Sequence, residues 1–210
     1  MAIKTVIFDF GNVVAFFDHS RAVARLAAYT EFPPVEIALK LYGSHIEDAY
    51  ERGRIDTAEY IREAKLNARL NCTDEQFVAA FTHIFWRNNE VCDLVLHLKP
   101  RYRIVLASNT TRAHFDEYVK QFADVLARFD HLGTSFGARA RKPEPEFFAR
   151  IQEHTAAEPE ECVFIDDLPT NVEAAERFGW NGIVYRPDGT LADKLRAAGV
   201  EIGTTEGTPS

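Results

Sequence analysis

The stretch Ile3-Lys4-Thr5-Val6-Ile7-Phe8-Asp9-Phe10-Gly11-Asn12 reads as a buried strand that empties into a loop. Residues 3–8 are mostly apolar and β-branched, the composition of a short strand covered on both faces, whereas Asp9 to Asn12 is a polar, glycine-containing turn. Three runs in the C-terminal half repeat the pattern: Arg103-Ile104-Val105-Leu106-Ala107, Cys162-Val163-Phe164-Ile165 and Gly182-Ile183-Val184-Tyr185. Each stops at polar or turn residues, and residues 131–136 supply a weaker candidate strand. Helical stretches lie between them, over 112–128, 144–154, 170–178 and 191–198, with Gly179 placed as a left-handed helix terminator.

Strands alternating with helices predict an α/β fold, a Rossmann-like parallel sheet with helices on both faces. Residues 20–89 break the alternation. They contain no convincing strand and carry helical segments over 22–28, 35–41, 57–70 and 74–85, of which the last opens on a capping box, Thr73 with Gln76 three positions on. This is read as a small all-helical cap inserted after the first strand. The expected division is a core of 1–19 and 90–202, a cap of 20–89, and a small, polar, flexible tail at 203–210.

The chain has 210 residues and a formal net charge of −8. Such a balance speaks against a dedicated nucleic-acid binder, which needs a basic surface to neutralise phosphates. Cys72, Cys92 and Cys162 are odd in number and widely spaced, so neither a disulfide framework nor a zinc cluster is indicated. There is no membrane-length apolar run, and the N-terminus reads as a strand followed by acid, not as a signal peptide. A cytoplasmic protein without membrane or nucleic-acid partners is expected; the pattern assigns no oligomeric state.

In an open parallel sheet, ligands bind beyond the carboxyl ends of the strands. Asp9 follows the first strand, Ser108-Asn109 the second and Asp166-Asp167 the third, with Lys142 in the loop Arg141-Lys142-Pro143-Glu144-Pro145. Taken singly, each has a plain explanation: Asp167 or Ser108-Asn109 as a helix cap, Lys142 as a solvated lysine. Together they form an ordered set. Asp9, Asp166 and Asp167 would be a costly group of like charges without a cation. Oxygen-only donors favour Mg2+ over zinc, and Ser108, neighbouring backbone N–H groups and Lys142 suit the oxygens of a phosphoryl group. An aspartate so placed can attack phosphorus.

The segments Phe8-Asp9-Phe10-Gly11-Asn12-Val13-Val14, Leu106-Ala107-Ser108-Asn109-Thr110, Arg141-Lys142-Pro143-Glu144 and Phe164-Ile165-Asp166-Asp167 resemble the four ordered motifs of haloacid dehalogenase (HAD)-like hydrolases. The insertion resembles that superfamily's small cap. Its segment Tyr50-Glu51-Arg52-Gly53-Arg54-Ile55 is similar to that of bacterial sugar-phosphate phosphatases, especially those acting on glucose 1-phosphate, and of the N-terminal phosphatase domain of soluble epoxide hydrolase.

The resemblance implies a phosphatase of small phosphorylated metabolites with nucleophilic Asp9 and an aspartyl-phosphate intermediate. It implies magnesium held by Asp9, Asp167 and the backbone carbonyl of Gly11 with support from Asp166, and phosphate held by Ser108, Asn109 and Lys142. Most phosphatases of this superfamily carry an acid–base aspartate where this chain has Gly11, although the Asp-x-Gly-Asn-Val variant resembles the sugar-phosphatase branch. Its absence removes proton transfers that usually contribute about 10² to 10⁴ in rate. Asp18 or His19 could supply protons; otherwise Asp18, with Ser20, caps the first cap helix. Phe16 and Phe17 are expected to pack in the core or cap rather than wall a substrate. Two other readings stand beside the phosphatase. One is a non-catalytic member that binds a phosphorylated ligand or a protein. The other is a haloacid dehalogenase, disfavoured by the paired Asp166-Asp167.

Overall fold

The computed structural model describes residues 2–202, so the expected tail lies outside the described residues. The chain opens with β1 (Thr5–Phe8) and a short strand β2 (Ala15–Phe17). There follow α1 (His19–Leu26), α2 (Pro34–Leu41), α3 (His45–Glu51), α4 (Thr57–Asn67) and α5 (Asp74–Thr82). The strand β3 (Phe85–Arg87) leads into α6 (Asn89–Leu98), β4 (Arg103–Ser108), α7 (Arg112–Gln121) and α8 (Ala123–Leu126). Then come β5 (His131–Thr134), α9 (Ser135–Ala138), α10 (Pro145–Gln152) and β6 (Cys162–Asp166). The described chain closes with α11 (Pro169–Phe178), β7 (Asn181–Val184) and α12 (Leu191–Ala197).

The main sheet has the order β5-β4-β1-β6-β7 and is parallel throughout. Side chains alternate along a strand, so each strand feeds two cores. On one face Val6, Phe8, Ile104, Leu106, Val163 and Ile165 pack with residues of α6, α7 and α12. On the other, Ile7, Val105 and Phe164 pack with Phe147 and Phe148 of α10 and with Trp180. Phe8 lies level with Leu106 on one side and Ile165 on the other. Asp9 therefore emerges between the carboxyl ends of β4 and β6.

The helices α1 to α5 share an apolar cluster of their own, including Leu26, Ile37, Tyr50, Tyr60, Phe77 and Phe81. Local signals set their starts: Asp18 caps α1 through the Ser20 N–H, and Thr73 and Gln76 form the capping box of α5. None of the helices among the described residues is long and apolar enough to cross a membrane.

The structure corrects several sequence expectations. Residues 20–89 are not wholly helical, because Phe85–Arg87 pairs antiparallel with Ala15–Phe17 to form a two-stranded ribbon; three-residue strands show no usable period. Helices α3 and α6 were not anticipated. The helix expected over 112–128 breaks at Phe122, whose backbone leaves the helical region. The candidate strand at 131–136 stops at Thr134, where the side-chain hydroxyl accepts from Gly137 N–H and opens α9.

One glycine fastens the helical cluster to the sheet domain. Gly53, just beyond α3, has φ +62, and a Cβ there would lie 2.7 Å from the Phe136 carbonyl oxygen of α9. An L side chain meets both left-handed strain and backbone that cannot move aside. Gly53→Ala is expected to destabilise by about 1–3 kcal/mol, read as a lowered thermal midpoint; an unchanged midpoint would show that the segment between the helices and α9 yields freely.

Candidate active site

The turn after β1 aims the first carboxylate. Asp9 N–H donates to the Ile165 carbonyl at 2.9 Å, Ala15 N–H to Phe10 O at 3.0 Å and Asn12 N–H to Ala15 O at 2.7 Å. Asn12 takes the left-handed conformation, φ 55, which asparagine tolerates better than most residues. Asp9 is 9% exposed. Its Oδ1 accepts from Phe10 N–H at 2.7 Å and lies 2.9 Å from Lys142 Nζ. Among the described residues none donates a hydrogen bond to Oδ2, so one carboxylate oxygen is fixed and the other left free.

Lys142 is buried, with Nζ 2.6 Å from Asp166 Oδ2 as well as 2.9 Å from Asp9. Burial pulls its ammonium pKa down, but Asp166 and Asp9 together outweigh that and hold it above the usual lysine value. It therefore stays charged. The loop is clamped by Asn109, whose Nδ2 donates to Lys142 O at 3.0 Å while its Oδ1 accepts from Lys142 N–H at 2.9 Å.

Asp166 is fully enclosed, and both its oxygens are engaged. Oδ1 accepts from Leu168 N–H at 2.9 Å and Asn171 Nδ2 at 3.0 Å; Oδ2 accepts from Lys142 Nζ at 2.6 Å and Asn171 at 3.1 Å. Asp167 is more open. Its Oδ2 accepts from Asn12 Nδ2 at 3.1 Å, and its carbonyl from Arg186 at 2.7 Å. Burial raises the carboxyl pKa of Asp9 against the pull of Lys142, and burial raises that of Asp167 against the Asn12 hydrogen bond.

Asp9, Asp166 and Asp167 each place one carboxylate oxygen within 4.8 Å of the others. One ammonium does not neutralise three carboxylates at that separation. No described residue donates to the Gly11 carbonyl. An all-oxygen, net-negative donor set of this kind fits a hard divalent ion such as magnesium.

Ser108, at the end of β4, is 2% exposed, and its hydroxyl makes only a 3.5 Å approach to Asn109 O. Gly11, Phe17, His19, Glu47, Ser108 and Asn109 are among the residues that line a cavity of ~100 Å³. Phe17 was expected to pack away from any ligand, yet it forms part of its wall. A Cβ on Gly11 would lie 2.8 Å from its ring, so the phenyl fills the space a larger residue at 11 would use. Phe16 turns away to Trp86. Asp18 is spent on the backbone and hydroxyl of Ser20, whereas His19 faces the cavity.

The helical segment reaches the lysine loop through charge. Arg52 donates in parallel to both oxygens of Glu144 at 2.7 and 2.6 Å and through Nε to Asp48 at 2.9 Å, while Arg141 lies 2.9 Å from Glu51. Sequence reading missed Asn12, Asn171, Arg186 and Glu47 as site residues. Of these only Asn12 carried a local signal, in its glycine–asparagine turn.

The chain's likeness to known proteins points the same way. It is 26% identical over 207 residues to a D-ribitol-5-phosphate phosphatase of Bacteroides thetaiotaomicron, covering 90% of this chain and 98% of that protein. It is 40% identical over 65 residues to flavin mononucleotide hydrolase 1 of Arabidopsis thaliana, spanning 31% of this chain but only 26% of that protein's length. A HAD-family enzyme of Bacteroides thetaiotaomicron, solved with magnesium and inorganic phosphate, shares the fold with a TM-score of 0.80 at 24% identity, covering 93% of this chain and all of that one. The family model described as a hydrolase, haloacid dehalogenase-like hydrolase, matches residues 3–179, and the chain belongs to that family.

Proposed function

We propose that this chain is a magnesium-dependent phosphomonoesterase acting on a small phosphorylated metabolite of the sugar-phosphate kind, through an aspartyl-phosphate on Asp9. The observation that carries the reading is the buried group at the sheet's carboxyl edge: Asp9 and Asp166 share the Lys142 ammonium while Asp167 stands unneutralised beside them. The D-ribitol-5-phosphate phosphatase and the flavin mononucleotide hydrolase among its relatives, and the magnesium and phosphate in the third, support it.

In this reading residues 1–19 and 90–202 are the catalytic core and 20–89 its cap. Asp9, Asp167 and the Gly11 carbonyl hold the magnesium ion, with Asp166 supporting them from behind. The bound ion offsets negative charge on the carboxylates and on the transferring phosphoryl group. Lys142 fixes Asp9 Oδ1 and offers its ammonium to a phosphoryl oxygen, while the Asp9 carboxylate attacks phosphorus. Ser108 offers a nearly unengaged hydroxyl to another. Asn109 acts on the phosphate through its backbone, since its side chain holds the lysine loop. Cys72, Cys92 and Cys162 are free thiols, which supports a reducing, cytosolic setting.

Wild-type protein assayed with p-nitrophenyl phosphate and a panel of sugar and polyol phosphates is expected to turn over with magnesium and to stop with chelator. Turnover resistant to chelator would sink the metal part of the reading, and phosphate binding without any turnover would favour a non-catalytic binder. Asp9→Asn is expected to lower kcat by at least on the order of 10⁴ with little change in fold; full activity would remove Asp9 as nucleophile. Lys142→Ala leaves two buried carboxylates unpaired, so activity is expected to disappear together with about 3–5 kcal/mol of stability. A variant as stable and active as wild type would contradict the role given to this lysine.

A further inference from the structure

Transfer of a phosphoryl group from an alkyl ester needs a proton at the departing oxygen, and a second step needs a base for the attacking water. Position 11 supplies neither. Its glycine sits under the Phe17 ring, beside the cavity that also touches Ser108 and Asn109. Beyond the phosphate-side residues, that cavity is lined by four groups able to carry a proton: His19, Glu47, Glu51 and His114.

Geometry separates them. His114 Nε2 is bound to the Phe81 carbonyl at 3.1 Å, and burial pushes its pKa down to about 3. His19 packs against Tyr42 with ring centroids 4.0 Å apart and a buried Nδ1 that no described residue bonds; burial pushes its pKa down to about 4, leaving a neutral ring that is a poor acid for the first step. Glu51 has its Oε2 2.9 Å from the Arg141 guanidinium, an ion pair that opposes the rise burial gives its carboxyl pKa. Glu47 makes no ion pair among the described residues; its Oε2 accepts from Gly43 N–H.

We infer that Glu47, carried on α3 over the cavity, protonates the leaving oxygen and then takes a proton from the hydrolytic water, in place of a carboxylate at position 11. This rests on the phosphatase reading above. Glu47 is faced by Glu51 and Asp48 on its own helix, by Tyr42, Tyr60 and His19 from neighbouring segments, and by Arg141 from the lysine loop. Burial pushes its carboxyl up to about 7, opposed by the Gly43 N–H and Arg141 and helped by Glu51 and Asp48. A group balanced there serves as acid and base in turn.

The two steps balance. As the bond from Asp9 to phosphorus forms, the bond from phosphorus to the ester oxygen breaks, and that oxygen takes the Glu47 proton to leave as an alcohol. Water then attacks phosphorus, gives a proton to the Glu47 carboxylate, and breaks the bond to Asp9. Inorganic phosphate leaves, and both carboxyl groups return to their starting states.

The test compares leaving groups. Glu47→Gln keeps an oxygen for Gly43 N–H but cannot donate a carboxyl proton. With ribitol 5-phosphate its kcat/KM is expected to fall about 10²-fold, while p-nitrophenyl phosphate, whose phenolate leaves unprotonated, loses less than about 3-fold. The acid form is the active one in this step, so wild-type kcat/KM for ribitol 5-phosphate should fall as pH rises through about 7, and Glu47→Gln should lose that limb. Equal losses of kcat/KM on both substrates, no loss on either, or a limb that persists in the variant would overturn the assignment. Wild-type protein inactive on both esters would overturn the phosphatase reading and this inference with it; an unchanged thermal midpoint shows that the variant is folded.

Discussion

The Lys142 ammonium, held between Asp9 and Asp166 in a site closed to solvent, is the interaction on which the rest of the site depends. A buried charge is costly unless it is paired and its remaining hydrogen bonds are met. Asp166 meets that condition through Asn171 and Leu168, so it serves as a fixed anchor. Asp9 meets it on one oxygen only. That asymmetry comes from the backbone: β1 pairs with β6 so that Asp9 N–H reaches the Ile165 carbonyl, and the following turn gives Oδ1 the Phe10 N–H. The fold thus leaves one Asp9 carboxylate oxygen available, in a group that also holds Asp167.

The helical insertion contributes through the same lysine loop. Arg52 grips Glu144 and Arg141 meets Glu51, so the segment that follows α3 is fastened within two residues of Lys142 on either side. Parallel, charge-assisted bonds of this kind fix orientation as well as distance. They tie the end of α3 to that loop, and Glu47 of the same helix lines the cavity that Gly11, Ser108 and Asn109 also line. The small residue at 11 and the Phe17 ring then belong to one arrangement: the ring of this β2 residue occupies the space a side chain at 11 would take.

The sheet was legible in the sequence because buried parallel strands write themselves as short apolar runs that stop at turns. Asp9, Ser108, Lys142 and Asp166-Asp167 were legible because each follows a strand or lies in the loop between two of them. The ribbon was not, since Ala15–Phe17 and Phe85–Arg87 are too short to show a period and their pairing joins residues far apart in sequence. Nor was the difference between Asp166 and Asp167: adjacent aspartates look alike until Asn171, five positions beyond Asp166, is seen to bond both oxygens of the first, while Asn12, far off in the chain, bonds only one oxygen of the second. Glu47 gave no signal because nothing in a short polar helix says which of its acids lacks a cation.

The central claim is that one lysine leaves this carboxylate group too negative, and that a divalent ion completes it. Thermal unfolding of wild-type protein in chelator and in excess magnesium tests that claim without any substrate. At a magnesium concentration about 100-fold above its Kd the midpoint is expected to rise by roughly 5–10 °C, with most of the gain lost in Asp167→Asn. A midpoint that magnesium leaves unchanged, or an equal rise in the variant, would contradict it.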